Sequence, residues 1–111
     1  MTMDLNELAD RVEALAGPDR EVDDAIASAR ADWSGDIVTL DYTASLDAAM
    51  TLIPEGYDWI LGHTNSGLTI HAEVGDREQV FGATPAIALA AACLRARTKA
   101  LGAVHTLEGG L

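Results

Sequence analysis

The fold is decided between Tyr42 and Ala100. The stretch opens with YTASLDAAM (42–50) and passes Pro54-Glu55-Gly56. It continues through YDWILGH (57–63) and LTIHAEV (68–74), then closes on GATPAIALAAACLRARTKA (82–100). That order predicts helix, hairpin, helix. Thr43 or Ser45 caps the first helix, and Leu46, Ala49, Met50 and Ile53 recur at helical spacing. Pro54 ends it and Glu55-Gly56 turns the chain. Tyr57, Trp59 and Leu61 then alternate with Asp58, Ile60 and Gly62, the period of a strand. Thr64-Asn65-Ser66-Gly67 supplies a hairpin loop, since Asn and Gly accept positive φ. Leu68, Ile70, Ala72 and Val74 alternate in turn with Thr69, His71 and Glu73. Gly75-Asp76 makes another turn, and Glu78 to Phe81 reads as a third short strand. Thr84 caps the closing helix with Pro85 at its first position. Ile87, Ala90, Ala91, Leu94, Thr98 and Leu101 lie along one of its faces.

Upstream, the pattern predicts two more helices. Asp4 and Glu7 form a capping box, and Leu5, Leu8, Val12 and Leu15 make a stripe. Gly17 and Pro18 stop that helix; Asp19 and Glu21 suit the start of the next. Val22, Ala25, Ile26 and Ala29 make its narrower stripe. A connector follows, in which Trp33 either anchors the hairpin onto the body or meets a partner. The expected organisation is an N-terminal helical hairpin over 1–31, a body over 32–102 and a flexible tail over 103–111, within one compact domain. The fold class is α/β, of the α+β kind: the hairpin, then a layered helix–antiparallel sheet–helix sandwich.

Composition narrows the chemistry. At 111 residues with 49% hydrophobic content, the chain can bury a core without disulfides or metal. Only 5% is aromatic, so the core is built from close helix contacts. Cys93 is the sole cysteine, which excludes an internal disulfide and a multi-cysteine metal site. No apolar run approaches the ~18 residues of a membrane span, and the N-terminus has no signal-peptide pattern. The expectation is a soluble intracellular protein. The net charge of −11 is uneven: residues 1–58 hold 14 acids and three bases, residues 59–111 four of each. The acidic half repels phosphate backbones and disfavours general nucleic-acid binding. It is either a solvated surface or a functional one, which docks a basic partner or imitates a nucleic-acid surface.

The segments YTASLDAAMTLIPEGYDW (42–59) and GATPAIALAAACLRAR (82–97) resemble the small bacteriophage and prophage proteins of the phage ABA sandwich domain family. The leader GPDREVDDAIA (17–27) is similar to openings seen among them. The resemblance covers most of residues 17–100, and its motifs concern fold. It implies a layered α/β body and a phage or prophage protein working in the host bacterial cytoplasm. It carries over no catalytic residues.

The residues supply few catalytic options. His63, His71 and His105 are the only histidines, and no zinc-type spacing relates them. Ser45 and Asp47 lack a nucleophile elbow and an oxyanion hole, and Gly75 and Gly82 match no phosphate-binding loop. Arg95, Arg97 and Lys99 are either a solvated helix end or an anion site. No catalytic residue, metal or cofactor is assigned. Tyr57, Trp59, Leu61 and His63 share one strand face, which either packs on helices or forms an aromatic platform for a planar ligand. The candidate ligand-binding residues are Tyr57, Trp59, His63 and Arg77, with Arg77 placed to meet a phosphate.

The residues favour a protein that acts by binding without catalysis, and the resemblance implies that it is a phage accessory protein. The expected mechanism is sequestration of a small nucleotide-like signal between protomers, in host takeover or resistance to bacterial defence. The other reading is a protein-interaction module whose acidic helices dock a basic host or phage protein. Open sheet edges and Ala-rich helix faces make a homo-oligomer an expected state.

Overall fold

A computed structural model describes residues 5–34, 39–54, 56–63, 70–75 and 79–109, with side chains described except at 32–34 and 99–109. The proposed Asp4 cap, the 64–67 hairpin loop and Arg77 lie outside the described residues, as do the side chains of Trp33, Lys99 and His105. Among the described residues, four helices pack with one three-stranded antiparallel sheet in an α+β fold. The helices are α1 (Leu5–Glu13), α2 (Arg20–Ser34), α3 (Leu46–Met50) and α4 (Pro85–Gly109). The strands are β1 (Trp59–His63), β2 (Ile70–Val74) and β3 (Val80–Gly82), in the order β1-β2-β3.

The helix starts follow capping chemistry. Asp19 is the cap of α2, where its carboxylate accepts from Val22 N–H at 3.1 Å. Of the two candidate caps for α3, the position goes to Ser45, which accepts from Ala48 N–H at 3.3 Å. Thr43 is instead fully buried against α2. Its N–H and its hydroxyl both donate to one oxygen of Asp23, at 2.8 and 2.9 Å. Asp23 is itself 3% exposed, so this acid holds the connector to α2 and does not decorate an outer surface. Tyr42 beside it is fully buried, and its hydroxyl accepts from Arg30 Nη1 at 3.1 Å. Thr84 caps α4 by accepting from Ile87 N–H at 3.2 Å, as its place before Pro85 predicts.

α4 is the centre of the molecule. It packs on α1, α3 and all three strands. Every residue from Ala86 to Leu94 is buried, so this segment has no solvent face. A helix apolar all round belongs inside a protein, and the uninterrupted run PAIALAAACL supplies that pattern. Small side chains let neighbours approach closely. A Cβ on Gly82 would stand 2.6 Å from the backbone nitrogen of Ala88, so β3 lies directly on α4. The backbone of α4 stays helical through Gly109, into the stretch read from sequence as a tail. The layers run from the sheet through α4 to α1 and α3, with α2 packed on α1 as the second arm of the hairpin.

Salt bridges hold the hairpin to this centre. Arg95 of α4 is bound by Asp10 and Glu13 of α1, with its Nε donating to Glu13 at 2.9 Å. Bonding to Asp10 raises its pKa above the ordinary guanidinium value; burial opposes this, and Glu13 adds to it. Arg95 is therefore a clamp between helices.

Candidate functional site

The register of the sheet decides where the candidate side chains go. Trp59, Leu61 and His63 of β1 stand opposite Val74, Ala72 and Ile70 of β2. Cross-strand partners share a face, and buried Ala72 and Val74 mark this one as the side on which α4 packs. Ile60 and Gly62 stand opposite Glu73 and His71 on the other side, where His71 also pairs with Phe81 of β3. β1 is an edge strand that meets α4 only marginally. Its α4-side residues are therefore incompletely covered: Trp59 is 41% exposed. Tyr57, just before the strand, and Ile60 are comparably open, and Phe81 is the most exposed of the large apolar residues. On this face position along the sheet, and not alternation, sets burial: Ala72 and Val74 of the central strand are covered, whereas Trp59 of the edge strand is open.

Tyr57 and Trp59 line a cleft of about 360 Å³ together with Asp58, Ile60, Glu73 and Gly75. The turn makes room for the phenol ring. Gly75 has φ +76°, and a Cβ there would meet the Tyr57 ring at 2.8 Å. Gly75 N–H donates to the Asp58 carbonyl at 2.9 Å, extending the ladder past Trp59 and fixing the cleft floor. The charged side chains of the wall are the two carboxylates of Asp58 and Glu73, which accept hydrogen bonds and repel anions. Asp58, Glu73 and Gly75 are not among the ligand-binding residues expected from sequence. The signal was available in the pairing of the two strands, since a tight register places residues 73–75 beside 58–60.

His63 is at the other end of β1, roughly 13 Å from Trp59 at the usual rise of a strand. It lines a second cavity of about 380 Å³ with Leu61, Gly62, Ile70 and Pro85. The structure thus brings Tyr57 and Trp59 together and places His63 elsewhere within one chain.

His63 and His71 project from opposite faces of the sheet, because His63 pairs with Ile70 and His71 with Gly62. They do not converge on one ligand. The His71 ring lies over Gly62, where an added Cβ would be 3.2 Å from its Cε1. It sits edge-on to Phe81 with centroids 6.2 Å apart, and its Nε2 is 3.6 Å from Glu73 Oε2. Among the described residues, no group of three or more His, Cys, Asp or Glu has metal-holding geometry. Nor is any helix there long and apolar enough to cross a membrane.

The basic end of α4 does not form a simple solvated cluster. Arg95 is engaged by α1, and burial pushes the Arg97 pKa down, with Cys93 and Tyr57 opposing the shift and Arg30 adding to it. Arg97 thus sits partly desolvated near Tyr57. Several acids of the N-terminal half also have internal partners: Asp10 and Glu13 hold Arg95, Asp23 holds Thr43, and Asp24 and Asp41 approach Arg20 at 3.7 and 3.3 Å. No family model matches this chain, and no curated protein or solved structure is similar to it.

Proposed function

We propose that the protein acts by binding, without turnover, and that the Tyr57–Trp59 cleft takes the flat base of a small nucleotide-like molecule. One observation carries this reading: two aromatic side chains, each more than a third exposed, wall a cleft of about 360 Å³. That volume is in the range of ~300–1,000 Å³ typical of small-molecule sites. Stacking on aromatic faces contributes about 1–3 kcal/mol per base and tolerates many planar partners. Asp58 and Glu73 add a preference. Carboxylates accept from N–H donors, so an edge with adjacent donors, as in guanine, suits them. They repel a phosphate chain, which must project away from the cleft. In the phage setting that the sequence resemblance implies, an abundant protein of this kind lowers a free host signal by mass action.

The acidic-hairpin reading has less support, because Asp10, Glu13 and Asp23 serve the protein's own packing. The test is calorimetric titration with the four ribonucleosides and their mono- and triphosphates. Guanosine should bind most tightly among the nucleosides, and each triphosphate more weakly than its nucleoside. Trp59→Ala should weaken binding about 5- to 150-fold, the range that stacking energies imply. Equal affinity of wild type and Trp59→Ala for every compound would overturn the assignment.

A further inference from the structure

β1 is an edge strand of the sheet, and among the described residues no strand pairs with its outer side. At the opposite edge, β3 is flanked by α1 and α4, whereas among the described elements β1 touches β2 and, marginally, α4. The bond from Gly75 N–H to the Asp58 carbonyl marks these two as a hydrogen-bonded pair. Such pairs alternate along an antiparallel ladder. Asp58, Ile60 and Gly62 therefore direct their backbone groups at β2. Trp59 and Leu61 direct theirs at the outer edge, and His63 follows in the same phase. An edge of this kind templates pairing unless Lys, Pro or a bulge blunts it, and WILGH contains neither Lys nor Pro. It also carries no formal charge, in a protein of net charge −11.

We propose that β1 pairs antiparallel with β1 of a second copy about a two-fold axis at Leu61, and that the ligand site is completed across this junction. Outward-phased residues must oppose outward-phased residues. Centring on Leu61 satisfies this and sets Trp59 against His63 of the second copy. On the other face, Ile60, which is 41% exposed, comes opposite Gly62, where it meets the edge of the His71 ring that lies over this glycine. The strand has no like charges to oppose. Trp59 lines the first cavity and His63 the second. Pairing places them side by side and unites Tyr57, Trp59 and His63, which a single chain keeps apart. The dimer stands on the edge geometry alone; the composite site rests on the binding function proposed above.

The test combines sedimentation of the full chain with oxidative cross-linking. A concentration-dependent dimer is expected. It should strengthen as salt is raised, because salt screens the repulsion between two acidic copies; docking of a basic partner would weaken instead. Ile60→Asp, at an exposed position, should shift the protein to monomer. Leu61→Cys should cross-link to itself, since hydrogen-bonded antiparallel partners have Cα atoms about 5.5 Å apart, within disulfide reach. A monomer at all concentrations and salts, or efficient cross-linking at Ile60→Cys with none at Leu61→Cys, overturns the pairing. Guanosine is the probe for the second half. His63→Ala should weaken its binding at least fivefold in the dimer, and an unchanged affinity overturns the composite site. A monomer that still binds guanosine sinks this inference and leaves the cleft standing, whereas a cross-linked dimer that binds no nucleoside sinks the cleft and the composite site and leaves the strand pairing standing.

Discussion

Cys93 is a residue whose surroundings decide its chemistry. It lies fully buried in α4, and desolvation pushes its thiol from 9.0 up to about 12, with Arg97 opposing weakly. The folded state therefore holds this proton more tightly than the unfolded chain does. Stability from this group is complete below about 9 and falls as pH rises towards about 12. Two outcomes follow: a thiol reagent at mildly alkaline pH should label Cys93 only after unfolding, and Cys93→Ala should flatten the alkaline fall in stability. Gly75 is the second case. With φ +76° and the Tyr57 ring at 2.8 Å from any added Cβ, Gly75→Ala faces both backbone strain and a clash. It should cost about 1–3 kcal/mol in urea denaturation and open the cleft by displacing the phenol.

Among the elements, α4 shows what the sequence made legible and what it did not. Its cap, first residue and length of apolar run were readable, because Thr84-Pro85 and an unbroken small-residue stretch admit few alternatives. Its central place was harder to read. A one-face stripe from Ile87 to Leu94 describes a helix on a surface, whereas burial of Ala86, Ala88, Leu89 and Ala92 as well shows one surrounded by partners. The roles of Thr43 and Asp23 are hard to read from sequence for a related reason. A threonine before a helix and an acid in an acidic helix look local, but their bond spans 20 residues of sequence. The strands of the candidate site were legible from alternation; that Trp59 stays open was not, since being an edge is a property of the whole sheet. The α1–α4 clamp carries its own prediction. Arg95→Met should destabilise by about 1–3 kcal/mol in thermal unfolding, mostly through loss of the Glu13 bond, because Asp10 is largely exposed. The raised Arg95 pKa means that the guanidinium side of the clamp gives up its charge only in strong alkali.

For the whole molecule, charge and apolar exposure are divided along the chain. The acids are concentrated before Trp59, while among the described residues three exposed large apolar side chains, Tyr57, Trp59 and Ile60, lie at or beside β1 and a fourth, Phe81, on β3. Much of the acid near the hairpin is taken up in holding α1, α2 and the connector together. The proposed function assigns recognition to the edge strand β1 and its cleft. An NMR titration of the full chain with guanosine tests this most directly. Amide shifts confined to Tyr57–Ile60 and Glu73–Gly75, with a dimer's added response at His63, are the result this account predicts. Shifts clustered on α1 and α2, or none anywhere at saturating nucleoside, would contradict it.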